Sequence, residues 1–209
     1  TSFQNYDGGQ YDVLVDPPQS VVAEYALNET PDLQIGKQAG TYYFNLNNLR
    51  APFDNANIRK ALTYALDRTI ICEKVAQGGQ IPATGVVPFG LDDENGKDFR
   101  ETNGSLFTDD VELAKEYLEK GLEETGLTVA DLDGLVLLYN TSESHKKIAQ
   151  VVQQMWQETL GFTVQLENVD FNVKLDREKE HDFDISRAGW VGDYADPMTM
   201  LDLFVTDGP

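Results

Sequence analysis

Cysteine, histidine and basic side chains are scarce in this chain, and each scarcity excludes a class of function. Cys72 is the single cysteine in 209 residues, so an intrachain disulfide or a thiolate metal cluster is impossible. The two histidines, His145 and His181, lie at no metal-ligand spacing to each other, to Cys72 or to an acidic residue. We therefore expect no metal site and no cofactor, and we interpret Cys72 as a small buried hydrophobic residue.

Lysine and arginine together number 16 against 36 acidic residues, which gives a net charge of −20 and an isoelectric point near 4.2. Nucleic-acid binding needs clustered basic side chains, which this chain lacks. Anionic lipids repel a surface of net negative charge. Neither partner is therefore expected. Hydrophobic residues make up 41% of the chain, so the acidity coats a folded protein and does not mark disorder.

Long apolar runs are also missing. The sequence holds no apolar run of 18 residues, no signal peptide and no lipidation motif. Length and composition therefore allow one sizeable core or two small ones, and they predict no membrane span.

A regular alternation of strands and helices from Leu135 onward predicts the fold class. A buried strand at 135–139 precedes a helix that Ser142 opens and Gly161 ends. A strand at 162–169, a helix through Val173 and a strand beginning at Phe183 follow. This β-α-β-α-β-α order predicts an α/β domain with parallel strands, in a mixed sheet with helices on both faces.

The first half of the chain is predicted to hold shorter elements and one long loop. Residues 41–47 alternate as a strand that buries Tyr42, Phe44 and Leu46 on one face. Thr108 is predicted to cap a helix that Gly126 ends. The remaining predictions are a strand at 11–15, a helix after Asn55 and a loop over 80–104.

The stretch 187–197, Arg-Ala-Gly-Trp-Val-Gly-Asp-Tyr-Ala-Asp-Pro, follows the last predicted strand. Its glycines permit turns and close approach by another chain. Ligand clefts in open α/β sheets lie at such strand ends. We therefore expect Asn140, Arg187, Trp190 and Asp193 at one edge of the sheet, with His145 facing the same cleft.

Further motifs that point to one known family follow one another along nearly the whole chain. They are Tyr139-Asn140-Thr141-Ser142 with His145-Lys146-Lys147, Pro52-Phe53-Asp54 with Arg59-Lys60-Ala61-Leu62, Asp67-Arg68, Leu160-Gly161 and Leu175-Asp176. Together with 187–197 they resemble family 5 of the extracytoplasmic solute-binding proteins, the oligopeptide-binding proteins of ABC importers. The resemblance implies that residues 1–209 are a single α/β domain. This domain would be the C-terminal ligand-binding lobe of a two-lobe, periplasmic-binding-protein-like (type II) fold in a longer, exported protein.

The resemblance also implies ligand-binding roles. Asp193 matches an aspartate that holds the α-amino group of a bound peptide, which suits a carboxylate in a closed cleft. Gly189 and Val191 match positions whose backbone pairs with the peptide as an added strand. Trp190 would form an apolar wall.

Arg187 and His145 match groups that meet the C-terminal carboxylate of peptides of different lengths. One departure concerns a further arginine that family members often carry after the segment matching Leu175-Asp176. This chain has Arg177 followed by Glu178 there, so preferred peptide length is not fixed by the resemblance.

The expected partners are a peptide and the membrane subunits of an ABC importer, with the protein acting as a monomer. The expected location is the periplasm or the outer face of the cytoplasmic membrane, with a lipid anchor on the full-length protein. Relatives of the same fold that bind nickel, haem or sugars, or act as peptide-pheromone receptors, form the alternative.

The positions of the acidic residues do not fit two other functions. A calcium loop aligned on Gly96 would need acidic residues where Leu91 and Thr102 stand. Asp193 and Asp196 could pair as glycosidase acids, but such acids flank a substrate from different elements. No catalytic residue is assigned, and we expect a binding protein that is not an enzyme.

Overall fold

Four strands form one mixed sheet in the computed structural model, which describes residues 2–15 and 17–206. They are β1 (Gly40–Leu46), β2 (Val136–Asn140), β3 (Gln165–Val169) and β4 (Ile185–Val191), in the spatial order β1-β4-β2-β3. Strand β2 runs parallel to β3 and β4, whereas β1 is antiparallel to β4. The predicted mixed sheet, with its last three strands parallel, is confirmed.

Helices precede, separate and follow the strands in the described part of the chain. The α-helices are α1 (Ser2–Asp7), α2 (Gln19–Leu27), α3 (Ala56–Tyr64), α4 (Arg68–Ile70), α5 (Phe99–Asn103), α6 (Val111–Thr125), α7 (Glu143–Leu160), α8 (Phe171–Lys179) and α9 (Met198–Leu201). A π-helical turn lies at Ile71–Ala76, and 3-10 turns lie at Val129–Leu132 and Asp202–Phe204.

Helices α7 and α8 cover opposite faces of the sheet. On one face, the ring of Phe44 in β1 lies 6.4 Å from the buried ring of Trp156 in α7, centroid to centroid. Arg187 pairs with Phe44 across the ladder and shares that face, so its neighbour Ser186 points to the other side. There the Ser186 hydroxyl donates to Oε1 of Glu178 in α8 at 2.7 Å. The prediction of helices on both faces is confirmed.

The predicted strand at 11–15 is wrong. The structure has no strand there, and Tyr11, Val13 and Val15 are 46%, 74% and 84% exposed. A strand needs a neighbour for its backbone groups and a buried face for its apolar side chains. The local alternation was present in the sequence, but the described residues supply no pairing strand.

Two predictions between residues 80 and 126 also need correction. Thr108 is not the helix cap: α6 begins after Asp110, whose carboxylate accepts from the Leu113 N–H at 2.9 Å. The long loop contains the short helix α5, which Asp98 caps by accepting from the backbone N–H groups of Arg100 and Glu101.

The described residues divide into two compact units. The larger holds residues 38–68 and 83–206, including the whole sheet. The smaller holds the described residues up to 37 and residues 69–82, and within it the Gln19 amide donates to the Ala76 carbonyl at 2.9 Å. The domain predicted for 1–209 includes residues 1, 16 and 207–209, which lie outside the described residues. That the stretch forms one lobe of a longer protein stays a prediction.

Candidate functional site

The carboxyl ends of β2 and β4 bring Asn140 and Arg187 together. Parallel neighbours end at the same edge of a sheet, and Leu138 in β2 is level with Ser186 in β4. The last residue of β2 therefore reaches the side chain of Arg187, whose Nη1 donates to Oδ1 of Asn140 at 3.3 Å. This part of the predicted strand-end cluster is confirmed.

Arg187 has no acidic partner among residues 2–15 and 17–206, although the chain carries 36 acidic side chains. Its guanidinium carbon instead lies 4.6 Å from the centroid of the Tyr42 ring, in a cation–π arrangement. Its Nε is buried and has no hydrogen-bond partner. A partly buried cation held by an aromatic face and an amide is free to bind an anionic group.

His145 lies beside this pair, in the first turn of α7. The Tyr42 hydroxyl is 3.5 Å from Nδ1 of His145, and the two ring centroids are 5.7 Å apart. Burial, followed by the positive charges of Arg187 and Lys174, lowers the pKa of His145 to about 4. Burial raises the pKa of Tyr42 to about 12, against the opposing effect of Arg187. Both rings are therefore neutral at pH 7.

The hydrogen bonds at the two ends of the β1–β4 ladder show which residue pairs are hydrogen-bonded and which are not. At one end the Gly192 N–H donates to the Ala39 carbonyl at 2.8 Å. At the other end the Asn47 N–H donates to the Asp184 carbonyl at 2.9 Å. Antiparallel pairs alternate between hydrogen-bonded and non-hydrogen-bonded positions. Even-numbered residues of β4 therefore direct their backbone groups to β1, and odd-numbered residues direct theirs away.

Gly189 and Val191 consequently point their N–H and C=O groups to the side of β4 that faces away from β1. Strand β2 pairs with β4 only at Ile185 and Ser186. Beyond those residues, the described structure places no strand on that side of β4. The strand thus ends in a short free edge with two sets of outward-facing backbone groups.

Glycine at position 189 keeps space beside the arginine. A Cβ built there would lie 3.3 Å from Nη2 of Arg187 and 3.5 Å from the Thr41 carbonyl oxygen. A side chain at this position would crowd the guanidinium and the approach to the free edge. This supports the prediction that another chain can come close here.

Trp190 lies on the opposite face of β4 from Arg187, because successive side chains of a strand alternate. It is half-buried and packs against a cluster formed by Val87, Leu91 and Met200. Its indole Nε1 is buried and has no hydrogen-bond partner. The structure therefore places Trp190 at the same strand end as Arg187, with its side chain directed to the other side of the sheet.

Asp193 follows the end of β4 and is exposed. Its backbone N–H donates to Oγ1 of Thr199 at 2.8 Å, which anchors the turn after the strand. Gly192 permits this packing, since a Cβ there would lie 2.9 Å from Cγ2 of Thr199. The Asp193 carboxylate forms no ion pair within the part of the chain that the structure describes, so it is available to a cation.

Tyr42 was missed as a site residue. Its sequence signal was the alternation of residues 41–47, which correctly put Tyr42 and Phe44 on one face. Nothing local showed that β1 would lie beside β4, about 145 residues later in the chain, and so place the Tyr42 ring between Arg187 and His145.

Two other kinds of feature are absent from residues 2–15 and 17–206. No group of three or more His, Cys, Asp or Glu side chains is placed to hold a metal ion. None of the described helices has the length and apolar character needed to cross a membrane.

Comparison with known families gives a match over residues 1–209 to the bacterial extracellular solute-binding proteins, family 5 middle region. The chain belongs to this family. It is 42% identical over 208 residues to the oligopeptide-binding protein OppA of Bacillus subtilis, and 35% identical over 206 residues to the dipeptide-binding protein DppE of the same organism. These alignments cover 98% and 99% of this chain, but it spans only 37% of the length of each relative.

Solved structures of peptide-binding proteins have the same fold. Pheromone receptor PrgZ, described in a study of its mode of peptide binding, matches with a TM-score of 0.85 at 30% identity. That match covers all of this chain and 41% of the receptor. Peptide-bound OppA of Listeria monocytogenes matches with a TM-score of 0.82 at 31% identity over 99% of this chain and 41% of that one. The resemblance noted in the sequence is confirmed.

Proposed function

We propose that the full protein is the extracytoplasmic substrate-binding component of a peptide ABC transporter, and that this chain supplies one wall of its ligand cleft. The observation that carries the proposal is the free edge of β4 at Gly189 and Val191, flanked by an unpaired guanidinium and an unpaired carboxylate. A peptide offers the three matching features: an extended backbone, a terminal amine and a terminal carboxylate.

In this proposal the peptide adds as a strand along the free edge, and main-chain hydrogen bonds to Gly189 and Val191 give affinity without selecting side chains. The carboxylate of Asp193 holds the peptide amine. Arg187 and His145 meet the C-terminal carboxylate. Trp190 forms an apolar wall on the other side of the strand.

The wider activity follows from the same proposal. The protein would hand peptides to the membrane subunits of an importer, act as a monomer and catalyse no reaction. It would work outside the cytoplasm, held to the membrane by a lipid anchor. Among other solutes, a peptide pheromone fits best, because the structural match to PrgZ concerns a receptor described as binding peptide. Nickel, haem and sugars are less well supported, since oligopeptide- and dipeptide-binding proteins are prominent among the relatives.

The test is a double cycle between Asp193→Asn and N-acetylation of a peptide, measured by titration calorimetry on the full-length protein. Removing one partner of a desolvated charge pair typically costs about 2–5 kcal/mol of binding free energy. We expect either change alone to cause that loss, and the second change to add little. Asp176→Asn is the matched control, because Asp176 is an exposed carboxylate on α8. Additive losses, or no peptide binding by the unmodified protein, would contradict the proposal.

A further inference from the structure

The hydrogen bond between Tyr42 and His145 satisfies both groups in one direction only. Within the described residues, the Tyr42 hydroxyl has one hydrogen-bonding neighbour, Nδ1 of His145 at 3.5 Å, while the Arg187 guanidinium lies over the face of the Tyr42 ring. The phenol has one hydrogen of its own. Nδ1 is the acceptor within reach of that hydrogen, and a hydroxyl that accepted from Nδ1–H instead would leave it unpaired, so the hydroxyl donates to Nδ1.

The protonation states agree with this direction. The raised pKa of Tyr42, about 12, keeps its hydrogen in place at neutral pH. The lowered pKa of His145, about 4, leaves its ring with one proton. The charged groups acting on the ring are Arg187 and Lys174, and both oppose a second proton. A neutral imidazole that accepts at Nδ1 must carry its single proton on Nε2.

We propose that Tyr42 is a positioning residue that hydrogen-bonds Nδ1 of His145, and so holds the imidazole in the Nε2–H tautomer and presents a donor to the ligand. The Tyr42 ring also supports the Arg187 guanidinium from below. The two ligand-facing groups are therefore coupled through one phenol. The ligand group that Nε2–H meets would be the C-terminal carboxylate of the peptide, and this part of the inference rests on the proposed function.

The first test needs no ligand and is independent of the proposed function. Nitrogen-15 NMR of the histidine-labelled full-length protein distinguishes the two neutral tautomers, and the His145→Asn variant assigns the signal. We expect wild-type His145 in the Nε2–H form. Tyr42→Phe keeps the ring and loses the hydroxyl, so its His145 should become a mixture of tautomers. The matched control is Tyr43→Phe, on the opposite face of β1, which should leave the signal unchanged.

The second test measures peptide binding. Tyr42→Phe should weaken binding of a free-acid peptide by about three- to tenfold, the range for one neutral hydrogen bond. Binding of the matching C-terminal amide should change less, and the Tyr43→Phe control should leave both unchanged. An Nδ1–H tautomer in wild type, or an unaltered tautomer in Tyr42→Phe, would overturn the positioning role of Tyr42. Equal losses for acid and amide would overturn the carboxylate assignment. A failure of the whole proposed function would show separately, as absent peptide binding with the tautomer result intact.

Discussion

At the scale of single residues, burial and then the charge of Arg187 keep the neighbouring His145 neutral. The positive charge of Arg187 is the largest contribution to the low pKa of His145 after burial itself. We predict that Arg187→Gln raises the pKa of His145 from about 4 toward its ordinary value near 6.5. An NMR titration of the imidazole measures this. Arg177→Gln is the control. Arg177 lies in α8, on the face of the sheet opposite His145, and pairs with Glu167.

The same shift makes the stability of the protein depend on pH in a defined direction. Between about pH 6.5 and pH 4 the unfolded chain protonates this histidine and the folded chain does not. As far as His145 is concerned, the free energy of unfolding is therefore highest above about pH 6.5 and falls as the pH is lowered toward 4. Because Arg187→Gln raises the pKa of His145 in the folded protein, it should move the lower limit of this pH range upward. An unchanged pKa in Arg187→Gln would contradict the assigned cause.

At the scale of elements, the glycines that end two helices were read correctly from the sequence, whereas the strand at 11–15 and the Thr108 cap were not. Gly126 and Gly161 end α6 and α7 in the left-handed conformation, with φ of 70° and 83°, as their positions predicted. Relations between distant segments could not be read. The position of β1 beside β4, and hence the role of Tyr42, depends on tertiary pairing that no local pattern encodes.

The corrected start of α6 gives a prediction for one element. Asp110 accepts from the Leu113 N–H, so Asp110→Ala should cost about 1 kcal/mol of helix stability. Thr108→Ala should stay within about 0.5 kcal/mol, because Thr108 lies outside the helix and is exposed. Hydrogen exchange at the Leu113 amide reads the effect locally, and Asp110→Ser should restore protection. Equal effects of the Thr108 and Asp110 substitutions would show that the cap is assigned wrongly.

At the scale of the whole molecule, the excess of negative charge coexists with a cation left unpaired at a strand end. In a chain with 36 acidic and 16 basic residues, chance would readily give Arg187 an acidic neighbour. It is surrounded instead by the Tyr42 ring and the Asn140 amide, which hold it without neutralising it. Together with the exposed Asp193 carboxylate, this leaves one unneutralised group of each sign at the end of β4, and in the proposed function these groups meet the two ends of a zwitterionic peptide.

The last prediction concerns residues 1–209 expressed alone, after circular dichroism has shown that they fold. In this piece Asp193 faces water, where an ion pair is worth only about 0–1 kcal/mol. The free edge at Gly189 and Val191 likewise competes with solvent. Restricting a flexible peptide costs at least about 4 kcal/mol, which these few exposed contacts would barely offset. We therefore expect the piece to bind a peptide mixture far more weakly than the full-length protein does, and to cleave none of it. Tryptophan fluorescence titration and mass spectrometry of the peptides measure both. Micromolar binding by the piece alone would mean that its contacts suffice without a second wall, and any cleavage would reopen the enzymatic alternative.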